Sequence, residues 1–178
     1  MSDANPHVLF LCTGNAARSV MAGAMLATRA PHVDVTTAGT HVIEGMPISY
    51  RTRDALVALE VPLDGHRSRQ LRDDDLRTTD LVVAMAREHV HYVRRVHTEA
   101  APRTGTLKRL VRDLPTTSGA LTARVASLRL DTVTLEDWED VDDPAGGDAP
   151  VFHACARELL DLVERLAATL ATGSSSVA

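Results

Sequence analysis

Apolar residues fall along this chain in short uninterrupted runs that alternate with longer stretches of helical spacing. Val8–Leu11 is apolar throughout and short enough to read as a buried strand, and Ser19–Arg29 has the spacing of a helix. Val33–Thr37 alternates and is β-branched, which predicts a second strand ending at Gly39. Ile48–Glu60 reads as a helix followed by the breakers Pro62 and Gly65, and Leu71–Thr78 as a short acidic helix whose Asp73, Asp74 and Asp75 form a solvated face. Leu81–Met85 predicts a third strand, Arg87–Val96 a helix, and Thr106–Leu110 a fourth strand of poor period. A Thr- and Ser-rich start at Thr116 leads into a helix reaching Leu130, and the acidic, Gly-containing Asp131–Pro150 reads as a loop. Phe152, Cys155, Ala156, Leu159, Leu160, Val163, Leu166 and Leu170 mark one face of a long final helix. Thr172–Ala178 is expected to fray.

Strands alternating with helices imply an α/β fold, here a four-stranded parallel sheet with helices on both faces. No repeat or linker divides the chain, so residues 1–178 are expected to form one domain with a core at about 7–171. In such a sheet a ligand sits beyond the carboxyl ends of the strands, at the point where the strand order reverses. The loop after the first strand would lie there.

Composition narrows the classes. With 44% apolar and 24% charged residues the chain is an ordinary soluble type. A net charge of −5 argues against a nucleic-acid partner. The basic residues are 18 Arg and one Lys, a coding bias rather than a chemical signal. Two distant cysteines fit a reducing compartment, and Met1–His7 lacks the features of a signal peptide. No apolar run is long enough to span a membrane, so a cytoplasmic protein without a membrane partner is expected.

The chemistry concentrates in Cys12-Thr13-Gly14-Asn15-Ala16-Ala17-Arg18-Ser19. A thiol and a guanidinium on one short strand-to-helix loop make a site for a tetrahedral oxyanion above a nucleophile. Successive backbone N–H groups can wrap its oxygens, and the helix N-terminus adds partial positive charge. Arg18 offers a planar fork for two oxygens, and the same field favours the thiolate of Cys12. Gly14 can adopt a positive φ in a tight loop, Asn15 tolerates left-handed geometry, and Ser19 can donate a hydrogen bond to the sulfur. The bland alternative is a buried structural cysteine beside a solvated arginine.

This loop resembles the C-x5-R-S signature of the low-molecular-weight protein tyrosine phosphatases. Thr37-Ala38-Gly39-Thr40, Gly65-His66-Arg67-Ser68-Arg69-Gln70 and Asp143-Pro144 are similar too, so that the likeness spans about residues 7–112 and 137–171. It places no motif in Leu114–Glu136. The resemblance implies a phosphomonoesterase for phosphotyrosine-type esters of a phosphorylated protein or small molecule, releasing inorganic phosphate without metal or cofactor. Cys12 would be the nucleophile, Arg18 the phosphate ligand and Asp143 the acid, chosen over Asp142. Asn15, Ser19, Thr37 and His66 match the family's bracing network, with Ala16 on the pocket floor. The chain departs from the family at Ala17, where many members have a second cysteine, at Ala145, where an aromatic is common, and at His41-Val42-Ile43-Glu44, often aromatic in eukaryotic members.

Alternatives remain open. An arsenate reductase has a similar loop but needs further thiols, and Cys155 lies on the apolar stripe of the last helix, as a core residue would. A phosphoarginine phosphatase, a small-molecule phosphatase and a non-catalytic phosphate-binding module also fit the loop. Glu139, Asp140, Asp142, Asp143 and Asp148 could be a solvated acidic loop. His89, His91 and His97 do not have the spacing of a metal site, and neither a Walker-type loop nor G-x-G-x-x-G occurs.

Overall fold

The computed structural model describes residues 5–171, and the tail expected at 172–178 lies outside them. Four parallel strands form one sheet in the order β2-β1-β3-β4: β1 (His7–Cys12), β2 (Asp34–Gly39), β3 (Leu81–Ala84) and β4 (Thr104–Thr106). Alternation along β1 sends its side chains to two cores. Val8, Phe10 and Cys12 join α1 (Arg18–Arg29), α2 (Tyr50–Ala58), α5 (Leu107–Asp113), α6 (Leu121–Ala126) and α7 (Ala149–Ala171) on one face. Leu9 and Leu11 face the other way, toward α3 (Asp73–Leu76) and α4 (Arg87–Val96). Helices therefore cover both faces, and β1 is continuous apolar because both of its sides are buried.

Local signals explain most boundaries. Ser49 caps α2 by accepting from the Thr52 N–H at 3.2 Å, an interaction worth about 1 kcal/mol. α7 buries Leu162 where the stripe suggested Leu160, which is only partly buried against the same core. No helix among the described residues is long and apolar enough to cross a membrane.

Two expectations fail and a third is refined. The fourth strand is Thr104–Thr106, not Thr106–Leu110, because the Thr106 hydroxyl accepts from the Arg109 N–H at 3.3 Å and starts α5 there. Leu107 and Leu110, which suggested a strand, are fully buried as helix residues. The helix foreseen from Thr116 to Leu130 is confined to Leu121–Ala126, with positive φ at Gly119 before it and at Arg129 after. The Asp131–Pro150 segment, read as a loop, is one for most of its length but contains a 3-10 turn at Asp137–Glu139 and a fully buried Glu139.

Candidate active site

Between β1 and α1 the chain crosses the carboxyl edge of the sheet at its switch point, with β2 on one side and β3 on the other. Cys12 ends β1 and is 3% exposed; Arg18 opens α1 at 3%. Ala17, at the N-cap, makes no side-chain cap and the first turn holds no acidic residue, so the leading N–H groups of α1 meet no competing carboxylate.

The loop's shape depends on Asn15. It is fully buried with φ +50, the left-handed geometry that asparagine tolerates, and Gly14, the other candidate, has no positive φ. Asn15 Nδ2 donates to Ser19 Oγ at 3.1 Å and to Thr37 Oγ1 at 3.0 Å. Its Oδ1 accepts from the Arg69 N–H at 3.1 Å. Its backbone oxygen accepts from Ser68 Oγ at 2.9 Å and lies 2.8 Å from His66 Nε2. Hydrogen bonds thus join Asn15 to Ser19, Thr37 and His66. Ser19 Oγ, which accepts from Asn15, lies 3.0 Å from Cys12 Sγ, within hydrogen-bond distance.

Gly39 lets β2 run close beneath this loop. A Cβ there would stand 2.5 Å from the Thr13 carbonyl oxygen and 2.4 Å from Val42 Cγ2. The Thr40 and His41 N–H groups donate to the Cys12 and Thr13 carbonyls, each at 3.0 Å. Ala16 is held by Thr52 Oγ1, which donates to its carbonyl at 3.1 Å.

Thr52, Ser68 and His89 are partners that sequence reasoning missed. His89 was weighed only as a metal ligand. It is 1% exposed; Nδ1 accepts from the Ala86 N–H at 3.1 Å, so Nε2 carries the proton and donates to Thr13 Oγ1 at 3.0 Å. Thr13 in turn donates to Glu88 Oε1 at 3.3 Å. Burial, aided by the Arg18 charge, pushes the imidazole pKa down to about 3, which keeps it neutral in this role. The available signal was its position, just past the end of the strand that flanks β1.

The third chemical group arrives from far along the chain. Arg18 Nη2 donates to Asp143 Oδ2 at 2.8 Å, and Nη1 to the Val141 carbonyl at 3.0 Å. Asp143 is thus gathered with Cys12 and Arg18, while Asp142 makes no ion pair among the described residues and lends its carbonyl to the Cys155 thiol at 3.8 Å. Cys155 is buried, and burial pushes its pKa up to about 12, as expected of a core thiol.

Two buried or half-buried carboxylates hold this segment. Glu139 Oε2 accepts from Thr106 Oγ1 at 2.7 Å and from Arg109 Nε at 2.9 Å, and Oε1 accepts from the Glu136 N–H at 2.8 Å and from Arg109 Nη2. Burial alone would raise the Glu139 carboxyl; those hydrogen bonds outweigh it and hold it below its ordinary value. Asp140 accepts from the Arg87 N–H at 2.8 Å and from its guanidinium at 2.9 Å, and the Val141 N–H donates to Met85 at 2.8 Å. The solvated-loop reading therefore fails for Glu139 and Asp140, and holds for exposed Asp142 and Asp148.

Chemically, the arrangement joins a thiol hydrogen-bonded to a serine hydroxyl, a fixed guanidinium and a half-exposed carboxyl at the mouth of a loop suited to an anion. A cleft of about 460 Å³ opens over Arg18 and Asp143, walled by Arg87, Glu88, Asp140 and Asp142.

Known proteins share this design. Residues 7–117 match the family model for low molecular weight phosphotyrosine protein phosphatase. A protein-arginine-phosphatase of Geobacillus stearothermophilus is 33% identical over 168 residues, 93% of this chain and 97% of that protein. The solved YwlE arginine phosphatase from Geobacillus stearothermophilus superposes with a TM-score of 0.75 at 32% identity, covering 94% of each chain. The low molecular weight protein tyrosine phosphatase from T. tengcongensis superposes with a TM-score of 0.73 at 30% identity, over 90% of this chain and 97% of that one. Since the family model covers well over half of its length, the chain belongs to the low molecular weight phosphotyrosine protein phosphatases and is a cysteine-dependent phosphatase.

Proposed function

We propose that the protein dephosphorylates a phosphorylated protein side chain through a phosphocysteine intermediate, without metal. The observation that carries this reading is the Arg18–Asp143 contact at 2.8 Å, which joins a loop guanidinium to a carboxyl 125 residues away at the mouth of the Cys12 loop. Cys12 thiolate attacks phosphorus in line, forming an S–P bond as the bond to the leaving oxygen breaks. Asp143, protonated, gives its proton to that oxygen. Arg18 and the loop N–H groups bind the equatorial oxygens, where negative charge concentrates in the transition state. Asp143, now a carboxylate, takes a proton from the water that attacks phosphorus, and the S–P bond breaks to release inorganic phosphate.

The test is turnover of 4-nitrophenyl phosphate by the full chain in excess EDTA. Activity should be unaffected by the chelator, and Cys12→Ser should lower it by at least about a thousandfold, since a serine without an adjacent base is a poor nucleophile. Variant activity above about 1% of wild type, or loss in EDTA reversed by a divalent ion, would sink the mechanism.

Phosphotyrosine-type esters are the first substrate reading, in keeping with the family. A specific feature favours phosphoarginine as the second. Among the described residues no Phe, Tyr or Trp lines the cleft over Arg18, whereas four carboxylates do. Asp143 pairs with Arg18 and Asp140 with Arg87, leaving Glu88 and Asp142 without an arginine partner among the described residues. Carboxylates without an arginine partner suit a guanidinium leaving group better than a phenol. The whole-length likeness to a protein-arginine-phosphatase supports the same reading. Comparing kcat/KM on matched peptides phosphorylated on tyrosine and on arginine decides between them.

A further inference from the structure

Beside the catalytic cleft lies a second and larger recess, of about 690 Å³, that the hydrolysis does not use. It starts at Thr13, one residue from the nucleophile, and shares Glu88 and His91 with the cleft, so the two are neighbours along α4. Glu88, His91, Tyr92 and Arg95 follow one another at helical spacing on the face of α4 that lines it. Seven residues of helix carry this stripe about 10 Å away from the catalytic loop.

Beyond Glu88, which is engaged by Thr13, the wall turns basic: His41, His91, Arg94 and Arg95. Arg94 is short of a counter-charge. Its Nη2 is spent on the Leu130 and Val133 carbonyls at 2.6 and 2.8 Å, and no carboxylate lies within ion-pair distance among the described residues. Burial pulls its guanidinium below the ordinary value, and the charges of Asp131 and Glu139 do not restore it. Exposed Arg95 and His91 have no ion-pair partner among the described residues either. Tyr92 stands edge-on to His41, with ring centroids 5.7 Å apart, and forms a flat flank between the two ends.

We propose that this recess is a second anion subsite, which takes an acidic side chain of the phosphorylated protein while its phosphoryl group occupies the Cys12 loop. The inference rests on the phosphoprotein reading above and deepens it. The reach of about 10 Å corresponds to about three residues of extended peptide, so the acidic residue stands about three positions from the phosphorylated one.

The experiment uses heptapeptides phosphorylated at the centre, on tyrosine in one set and on arginine in the other, with Glu, Gln or Lys three residues to either side. On the set that is hydrolysed faster, wild-type kcat/KM should favour Glu over Gln by about fivefold on one side, the scale of a partly screened ion pair. Raising the salt should shrink that preference. Arg95→Glu should abolish it and favour Lys, while kcat/KM for 4-nitrophenyl phosphate, which is too small to reach the recess, stays within about twofold of wild type. Equal rates on Glu and Gln peptides, or a Glu preference that survives Arg95→Glu, overturns the subsite. Failure of the phosphatase reading shows separately, as no turnover of 4-nitrophenyl phosphate, and takes the subsite down with it.

Discussion

At Asp143 and Asp142 one position in the chain separates two different environments. Asp143 meets the Arg18 guanidinium at 2.8 Å, and its other oxygen accepts from the Ala145 N–H at 3.0 Å. Asp142 projects to the cleft wall with only its backbone tied down, by Cys155. If Asp143 supplies the proton, Asp143→Ala should lose activity in proportion to how badly the leaving group departs unprotonated. The expected loss is slight on 4-nitrophenyl phosphate and about 10²–10⁴-fold on phenyl phosphate, the usual reach of general-acid catalysis. Asp142→Ala should change both rates alike and little. A series of aryl phosphates of graded leaving-group basicity measures the slope for each variant, and a steep slope in Asp142→Ala instead would reverse the assignment.

The element that delivers this carboxyl is a strap rather than a free loop. It is anchored at Glu139 to α5 and to the end of β4, at Asp140 to the start of α4, and at Val141 to Met85, just past β3, and to Arg18. Glu139→Gln keeps the volume but turns one acceptor into a donor facing Arg109, leaving a buried guanidinium poorly paired, a change that costs about 3–5 kcal/mol where a buried pair is broken outright. Stability should fall, which urea unfolding checks. The positioning role has its own signature: at temperatures where the variant is folded, phenyl phosphate turnover should drop more than 4-nitrophenyl phosphate turnover. Equal loss on both substrates would confine Glu139 to holding the fold. The same strap explains why the Asp131–Pro150 segment is poorly described by composition. Its acidic residues look solvated in a linear reading, yet the partner of Glu139 lies 30 residues away and that of Asp140 lies 53 away.

Across the whole molecule, the buried neutral histidine links the site to acid stability. The folded protein keeps His89 unprotonated down to about pH 3, while the unfolded chain binds a proton below its ordinary value of 6.5. Between those limits the unfolded state holds more protons. The stability associated with His89 is therefore complete above pH 6.5 and falls as pH drops, by at most about 1.4 kcal/mol per unit. His89→Gln can still donate to Thr13 but does not titrate in this range. Its unfolding free energy should fall less than that of wild type between pH 7 and 5, a window above the ordinary carboxylate range. Parallel pH profiles from denaturant titrations would show that His89 already binds a proton in the folded state.

The hydrophobic pattern determined the order of strands and helices, the parallel sheet and the loop after the first strand, because buried runs and helical stripes are local properties of a chain. Cys12, Arg18 and Ser19 were legible for the same reason: they sit within one loop whose chemistry follows from spacing. The bounds of β4 were not, since Leu107 and Leu110 satisfy the apolar pattern of strand and helix alike and the cap at Thr106 decides between them. For the left-handed residue of the loop the sequence offered both Gly14 and Asn15 and did not choose between them. Asn15 takes that geometry in place of Gly14 because its side chain and backbone bond to Ser19, Thr37, Ser68 and Arg69, which come together only in the folded sheet. The burial of Glu139, the contact of His89 with Thr13 and the recess along α4 were decided by tertiary structure alone. Each joins polar groups from separate elements, and a polar residue's burial depends on a partner that its sequence neighbours do not reveal.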